Sequence, residues 1–241
     1  MESTPEGVMA YSTILWEKDG PVGVLRLNRP ERMNAVIESM YLEIQDCLAT
    51  AAADDEVRVV LVTGSVLRKN GFERQAFCAG ADLKQHGTGE RTHAQKRAYI
   101  ELAHETARIM HEFEKPIVAV VNGPARGAGT EMALGCDFVL MAEEATMAFP
   151  ETSLGTFVGG GVTRHLPRLV GLARAKDLVY TGRVVDGREA VAMGLALRCR
   201  PVAELWAEAT ALARLLAEKA PLWMRFAKRR LQDAGVTDLG T

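Results

Sequence analysis

The sequence predicts an α/β protein with a largely parallel sheet, crossover helices and a helical C-terminal part. Three observations predict it. Short apolar runs of strand length alternate with helix-periodic segments through the first part of the chain. The remainder reads as helices interrupted by one strand. Several strands also run into turns built of small residues, as ligand-binding turns do at the carboxyl edge of a parallel sheet.

Residues 22–27 alternate loosely and stop at Asn28-Arg29-Pro30, a strand closed by a turn. Ile37, Tyr41, Ile44 and Leu48 recur at helical spacing, with Asn34 the expected N-cap and Asp54-Asp55 the close. Residues 57–62 read as a buried strand ending at Thr63-Gly64, and Lys69-Asn70-Gly71 marks a turn in the polar loop beyond. A long helix over 94–113 precedes a strand over 116–121. A Gly/Ala turn then feeds a helix over 130–134 that carries Glu131 near its start. Strands over 138–141 and 146–149 lead to Pro150-Glu151. Helices follow over 161–169, 173–180, 187–193, 202–218 and 222–234, with a strand at 195–199.

Composition narrows the classes. The 241 residues, nearly half apolar, suffice for one large domain or a domain with an appendage. No run has the length of an uncharged membrane span. The first eleven residues are acidic without a cationic start, which predicts a short polar leader rather than a secretory signal. With 29 basic against 31 acidic residues there is no electrostatic footprint for nucleic acid. The basic cluster Arg225 with Lys228-Arg229-Arg230 reads either as a solvated helix face or as a phosphate contact. Cys47, Cys78, Cys136 and Cys199 lack metal or redox spacing; as small apolar residues they suit a reducing compartment, the cytoplasm. The five histidines, His86, His93, His104, His111 and His165, lack ligand spacing, so no metal is expected. Only His86, near the Asp82–Lys84 segment, invites attention. Gly159-Gly160-Gly161 lacks the Lys-Ser/Thr of a phosphate loop.

Chemistry concentrates in three small-residue turns: 77–84 (FCAGADLK), 122–131 (NGPARGAGTE) and 147–151 (MAFPE). Small side chains let a ligand approach the main chain, so N–H groups at Ala81 and Ala128 can converge as an oxyanion hole. The alternative reading is ordinary tight turns. Glu131 in a first helical turn is either a partner of the helix dipole or an acid–base group. Glu151, approached through Phe149-Pro150, is either a loop carboxylate or a held, partly dehydrated one with a raised pKa.

These motifs, with Leu27-Asn28-Arg29-Pro30, Asn34-Ala35, Cys136-Asp137, Leu154-Gly155 and Arg168-Leu169-Val170-Gly171 in the same order, resemble the crotonase superfamily, the enoyl-CoA hydratase/isomerase proteins. The resemblance spans roughly residues 22–229. It implies a crotonase-like spiral of ββα units over 1–195 containing the acyl-CoA site, and a helical C-terminal region, apparently shortened, over 196–241. It implies assembly as a homotrimer or homohexamer and no cofactor, coenzyme A being part of the substrate.

By position, Ala81 and Ala128 would grip the thioester oxygen. Ala79, Asp82, Leu83 and Lys84 would line the acyl-CoA path, with Asn34 and Ala35 toward the pantetheine or adenine end. Glu131 and Glu151 match the glutamate pair of the family's hydratases, and Gly159 matches a glycine that helps seat the water. The implied activity is reversible syn hydration of an enoyl-CoA, as in fatty-acid β-oxidation, with no nucleic-acid or membrane partner. Another crotonase-type reaction (isomerisation, or hydration or hydrolysis of a cyclic acyl-CoA) and a non-catalytic or RNA-binding member are the alternatives. The chain departs from the pattern at Ala128, which replaces glycine, at Thr130, at Arg126, read as an outward salt-bridge residue or an acyl or coenzyme contact, and in the long charged loop 65–75.

Overall fold

The computed structural model describes residues 11–84 and 92–233. Residues 1–10 of the expected leader, the C-terminal residues 234–241, and His86 lie outside the described residues. The chain opens with the antiparallel hairpin β1 (Ile14–Asp19) and β2 (Val22–Leu27), then α1 (Glu38–Ala53) and β3 (Val59–Gly64). A second hairpin, β4 (Leu67–Lys69) and β5 (Phe72–Arg74), precedes α2 (His93–Glu112). Next come β6 (Ile117–Val121), β7 (Ala125–Arg126), α3 (Ala128–Gly135), β8 (Phe138–Ala142) and β9 (Thr146–Ala148). The chain closes with α4 (Val162–Val170), α5 (Leu172–Thr181), β10 (Val185–Asp186), α6 (Gly187–Met193), β11 (Arg198–Arg200), α7 (Val202–Ala217) and α8 (Pro221–Asp233).

The main sheet has the order β1-β2-β3-β6-β8-β11, parallel except for the first pair. Every residue of β3 and β6 is buried, which explains the apolar runs Val59–Val62 and Ile117–Val121, since a parallel strand covered on both faces needs no polar side. α1 buries Met40, Tyr41, Ile44, Cys47, Leu48 and Ala51, while α7 lays Leu205, Ala209, Leu212 and Ala213 toward the main sheet.

Beyond each central strand the chain bends into a second layer of short pairings. Val36 bridges Ala81, Cys78 bridges Ala125, and β7 pairs with β9 in the sheet β10-β9-β7. This repeated long strand, short strand and helix is the expected crotonase-like spiral.

Most predicted elements appear within two residues of their expected bounds, with instructive exceptions. β1 was not anticipated, although Ile14 and Trp16 are buried and Leu15 is exposed, the alternation of a half-covered edge strand. The turn at Asn70-Gly71 closes a true hairpin, both residues having positive φ. β11 begins at Arg198, because residues before it still form the turn after α6.

Asn34 is not the N-cap of α1. That position belongs to Ile37. Asn34 instead takes a left-handed conformation, φ 56°, and is 0% exposed. Its Oδ1 accepts the Arg29 N–H, and its Nδ2 donates to the Ser65 and Ala76 carbonyls, both at 2.9 Å. One amide therefore ties three segments near the carboxyl ends of β2 and β3. Asn34→Ala strands a buried donor and two acceptors, and it is expected to cost about 3 kcal/mol, read from the urea midpoint.

Candidate active site

Two turns are fastened to each other before any side chain takes part. The Phe77 and Cys78 N–H groups both donate to the Pro124 carbonyl, and the Arg126 N–H donates to Cys78 O at 2.9 Å. Gly80 has φ 91°, and a methyl there would lie 2.7 Å from Arg126 O, so only glycine permits the approach. On the far side Gly80 O accepts from Val36 N, and Asp82 N donates to Val36 O. Among the described residues, the N–H groups between these bonds, those of Ala81 and Ala128, meet no protein acceptor. Ala128 opens α3, where the first N–H groups of a helix have no partner within it. The alanine at 128 keeps that donor and adds one methyl group.

The glutamates arrive from different directions. Glu131 rides the first turn of α3, and its Oε1 accepts the Gly159 N–H at 2.7 Å. Gly159 and Gly160 run flush against it: a methyl on Gly160 would fall 2.6 Å from the Glu131 Cβ. Glu151 opens a short 3₁₀ turn after Pro150 and is 6% exposed. Its Oε1 occupies the space beside Gly127, 2.8 Å from where a β-carbon there would sit. Gly127 has φ 48° and ψ −121°, a conformation closed to other residues, so it supplies both the bend into α3 and room for the carboxyl. Thr130 Oγ1 donates to Ala148 O, and Gly127 N donates to the same carbonyl, which pins β9 and hence Glu151 beside α3.

Both carboxyls sit in a dehydrated setting. Burial pushes the Glu151 carboxyl up to about 7, and the nearby Glu131 charge adds to the shift. Glu151 Oε2 is buried without a partner. Burial also raises the Glu131 carboxyl, opposed by the Gly159 N–H. Near neutral pH Glu151 is therefore poised to give up or take a proton beside a second raised carboxyl, a setting in which neighbouring carboxyls can divide acid and base roles.

Of the other predicted contacts, Ala35 is buried and Ala79 half-buried, while Leu83 and Lys84 stand outside. Asp82 is 8% exposed and pairs with Arg29 at 2.9 Å, and Arg29 also donates to Ala35 O. Asn34 and Asp82 thus brace the turns rather than offer free side chains to a ligand.

Arg126 is not an outward salt-bridge residue. Its guanidinium folds back onto Ala125 O, Thr146 O and Thr146 Oγ1 and ties β7 to β9. Of the basic cluster, Arg225, Arg229 and Arg230 are exposed, as a solvated helix face requires, Arg225 pairing with Glu114, whereas Lys228 turns inward, pairs with Asp137 at 2.8 Å and docks α8. His104, which the sequence marks only as lacking metal-ligand spacing, faces the same glycine turn as Glu131. A methyl on Gly159 would lie 3.4 Å from both His104 Nε2 and Glu131 Oε2. No helical period marks that juxtaposition, because Gly159 comes from a distant loop. Among the described residues no cluster of three or more His, Cys, Asp or Glu could hold a metal, and no helix is long and apolar enough to cross a membrane.

The ββα spiral thus places two free backbone donors beside two partly dehydrated carboxyls, an arrangement chemically suited to activating a carbonyl, on a fold of the crotonase class. Comparison with known proteins makes the assignment particular. Residues 17–239 match the enoyl-CoA hydratase/isomerase family, and the chain belongs to it. It is 36% identical over 231 residues to the crotonyl-CoA hydratase of Syntrophomonas wolfei, covering 96% of this chain and 85% of that one. It is 30% identical over 233 residues to the short-chain-enoyl-CoA hydratase of Clostridium acetobutylicum, covering 97% and 86%. The crystal structure of an enoyl-CoA hydratase from Bacillus anthracis superposes with a TM-score of 0.87 at 34% identity, over 95% of this chain and 85% of that one.

The raised Glu151 carboxyl has a consequence for stability. The folded protein binds that proton more tightly than the unfolded chain, so its contribution is favourable at low pH and is lost as pH rises from the ordinary carboxylate range through about 7. Glu151→Gln removes the buried charge. It is expected to be more stable than the parent by about 1–2 kcal/mol at pH 8 and to lose that advantage near pH 4, measured by urea unfolding at both pH values.

Proposed function

We propose that the protein is an enoyl-CoA hydratase, a hydro-lyase that reversibly adds water in syn fashion across the α,β double bond of an acyl-CoA thioester. The observation that carries this reading is the Glu131–Glu151 pair beside two unengaged N–H groups. In this reading the Ala81 and Ala128 N–H groups hold the thioester oxygen, each donor contributing about 3 kcal/mol to stabilising enolate charge. Glu131, oriented by Gly159, positions the water and accepts its proton as the oxygen bonds to Cβ. The π electrons move toward the thioester, and Cα takes a proton from Glu151. The proton then on Glu131 returns to Glu151, so the pair gives Cα one proton for each it takes from water.

Ala79, Leu83 and Lys84 would border the acyl-CoA path, with coenzyme A entering as part of the substrate and no further cofactor. All the site residues fall within the 1–195 portion read as the catalytic core. The β-oxidation type of chemistry, a cytoplasmic setting with no nucleic-acid or membrane partner, and a homotrimer or homohexamer complete the proposal. The exposed Leu222, Trp223, Phe226 and Leu231 along α8 support an assembly, since an apolar face of that kind favours burial against another copy.

The test is loss of the conjugated enoyl absorbance with crotonyl-CoA. Glu131→Gln and Glu151→Gln are each expected to cut kcat by about a hundredfold to ten-thousandfold while the fold persists in circular dichroism. Crotonyl-CoA bound but not hydrated by the parent protein would overturn the proposal.

A further inference from the structure

The glycine run that seats Glu131 also floors a cavity. Gly159 and Gly160 touch Glu131, whereas a methyl on Gly161 would meet His165 Nε2 at 2.9 Å. The three residues thus run from beside the Glu131 carboxyl along one wall of a space of about 370 Å³ between α2 and the start of α4. His104 stands at the end nearest Glu131, the half-buried His111 and His165 line the cavity farther along, and the exposed Arg108, Arg164 and Phe157 stand at its edge. Straight-chain enoyl binding calls for no free cation in such a lining.

The charges are not equivalent. Arg108 is occupied by Glu105 and Glu112 on its own helix, and Glu112 is the carboxylate lining the cavity. Among the described residues the Arg164 guanidinium donates to the Gln232 carbonyl at 3.3 Å and meets no carboxylate. The imidazoles of His111 and His165 pack at 4.6 Å, and burial with the Arg164 charge keeps both below their ordinary pKa, His165 at about 4. They are therefore neutral hydrogen-bonding groups near pH 7, and Arg164 is the uncompensated cation.

We infer that this cavity receives the far end of the acyl chain and that Arg164 selects acyl groups ending in a carboxylate. The inference rests on the hydratase reading and names its substrate class: an enoyl-CoA derived from a dicarboxylic acid. The carboxylate would pair with the Arg164 guanidinium, with imidazole N–H groups of the cavity as further donors.

The experiment compares hexenedioyl-CoA, unsaturated at the α,β position, with the length-matched neutral hexenoyl-CoA, using crotonyl-CoA as reference. Coenzyme A is common to all three, so its phosphates cancel. The parent enzyme is expected to favour the carboxylate-ended thioester by roughly tenfold or more in kcat/KM. Arg164→Gln should collapse that ratio, chiefly through KM, and Arg164→Lys should restore part of it. A parent preference for the neutral thioester, or a ratio that Arg164→Gln leaves in place, overturns the inference while crotonyl-CoA hydration upholds the hydratase. Hydration of none of the three overturns both.

Discussion

The hydrogen-bonded seam between the turn at 77–81 and the turn at 124–129 is the constraint on which the rest of the site depends. Cys78 and Pro124 carbonyls take the main-chain donors that would otherwise close each turn on itself, and Gly80 lets the two backbones touch. Gly129 extends the seam, since a methyl there would lie 2.3 Å from Cys78 O. The seam leaves the Ala81 and Ala128 donors at adjacent positions on two fastened turns, with no acceptor of their own. In the hydratase reading their alignment would need no rearrangement as charge develops on the thioester oxygen.

From that seam the acid–base pair follows by short connections. α3 begins one residue beyond Gly127, so Glu131 lies a single turn above the donor at Ala128. Ala148, held by Gly127 N and Thr130 Oγ1, delivers Pro150-Glu151 to the same place from β9. The dehydration that raises both carboxyls is the product of this packing, with Gly127 and Gly160 leaving no space for intervening water against either side chain. A functional site of this sort carries a stability cost, visible in the buried Glu151 Oε2 without a partner.

Arg126 and Thr130, two departures from the family pattern, acquire a common explanation. Both side chains bind the β9 strand, Arg126 through Thr146 and Thr130 through Ala148. They reinforce the small sheet β10-β9-β7 at the point where it must hold Glu151. The charge of Arg126 is desolvated by the same contacts, and burial lowers its pKa. The hairpin of β4 and β5 accounts for the long charged loop: Arg68 pairs with Glu73 across it, and Asn70-Gly71 turns it.

What the sequence determined by itself was local. The buried runs of β3 and β6, the helical period of α1 and α2, and the small-residue turns ahead of Glu131 and Glu151 are written in neighbouring residues, and the family resemblance followed from their order. Tertiary structure alone decided what met across long separations. Asn34 became a tie among three segments instead of a helix cap, because its left-handed backbone aims the amide at Ser65 and Ala76. Lys228 became a docking ion for α8, because Asp137 comes up from the start of β8. His104 and Arg164 came to line one cavity, because the Gly159–Gly161 run packs against α2. Periodicity reports which face of an element is apolar, but the partner of each polar group depends on strand register and on the crossing of distant loops, which no local pattern encodes.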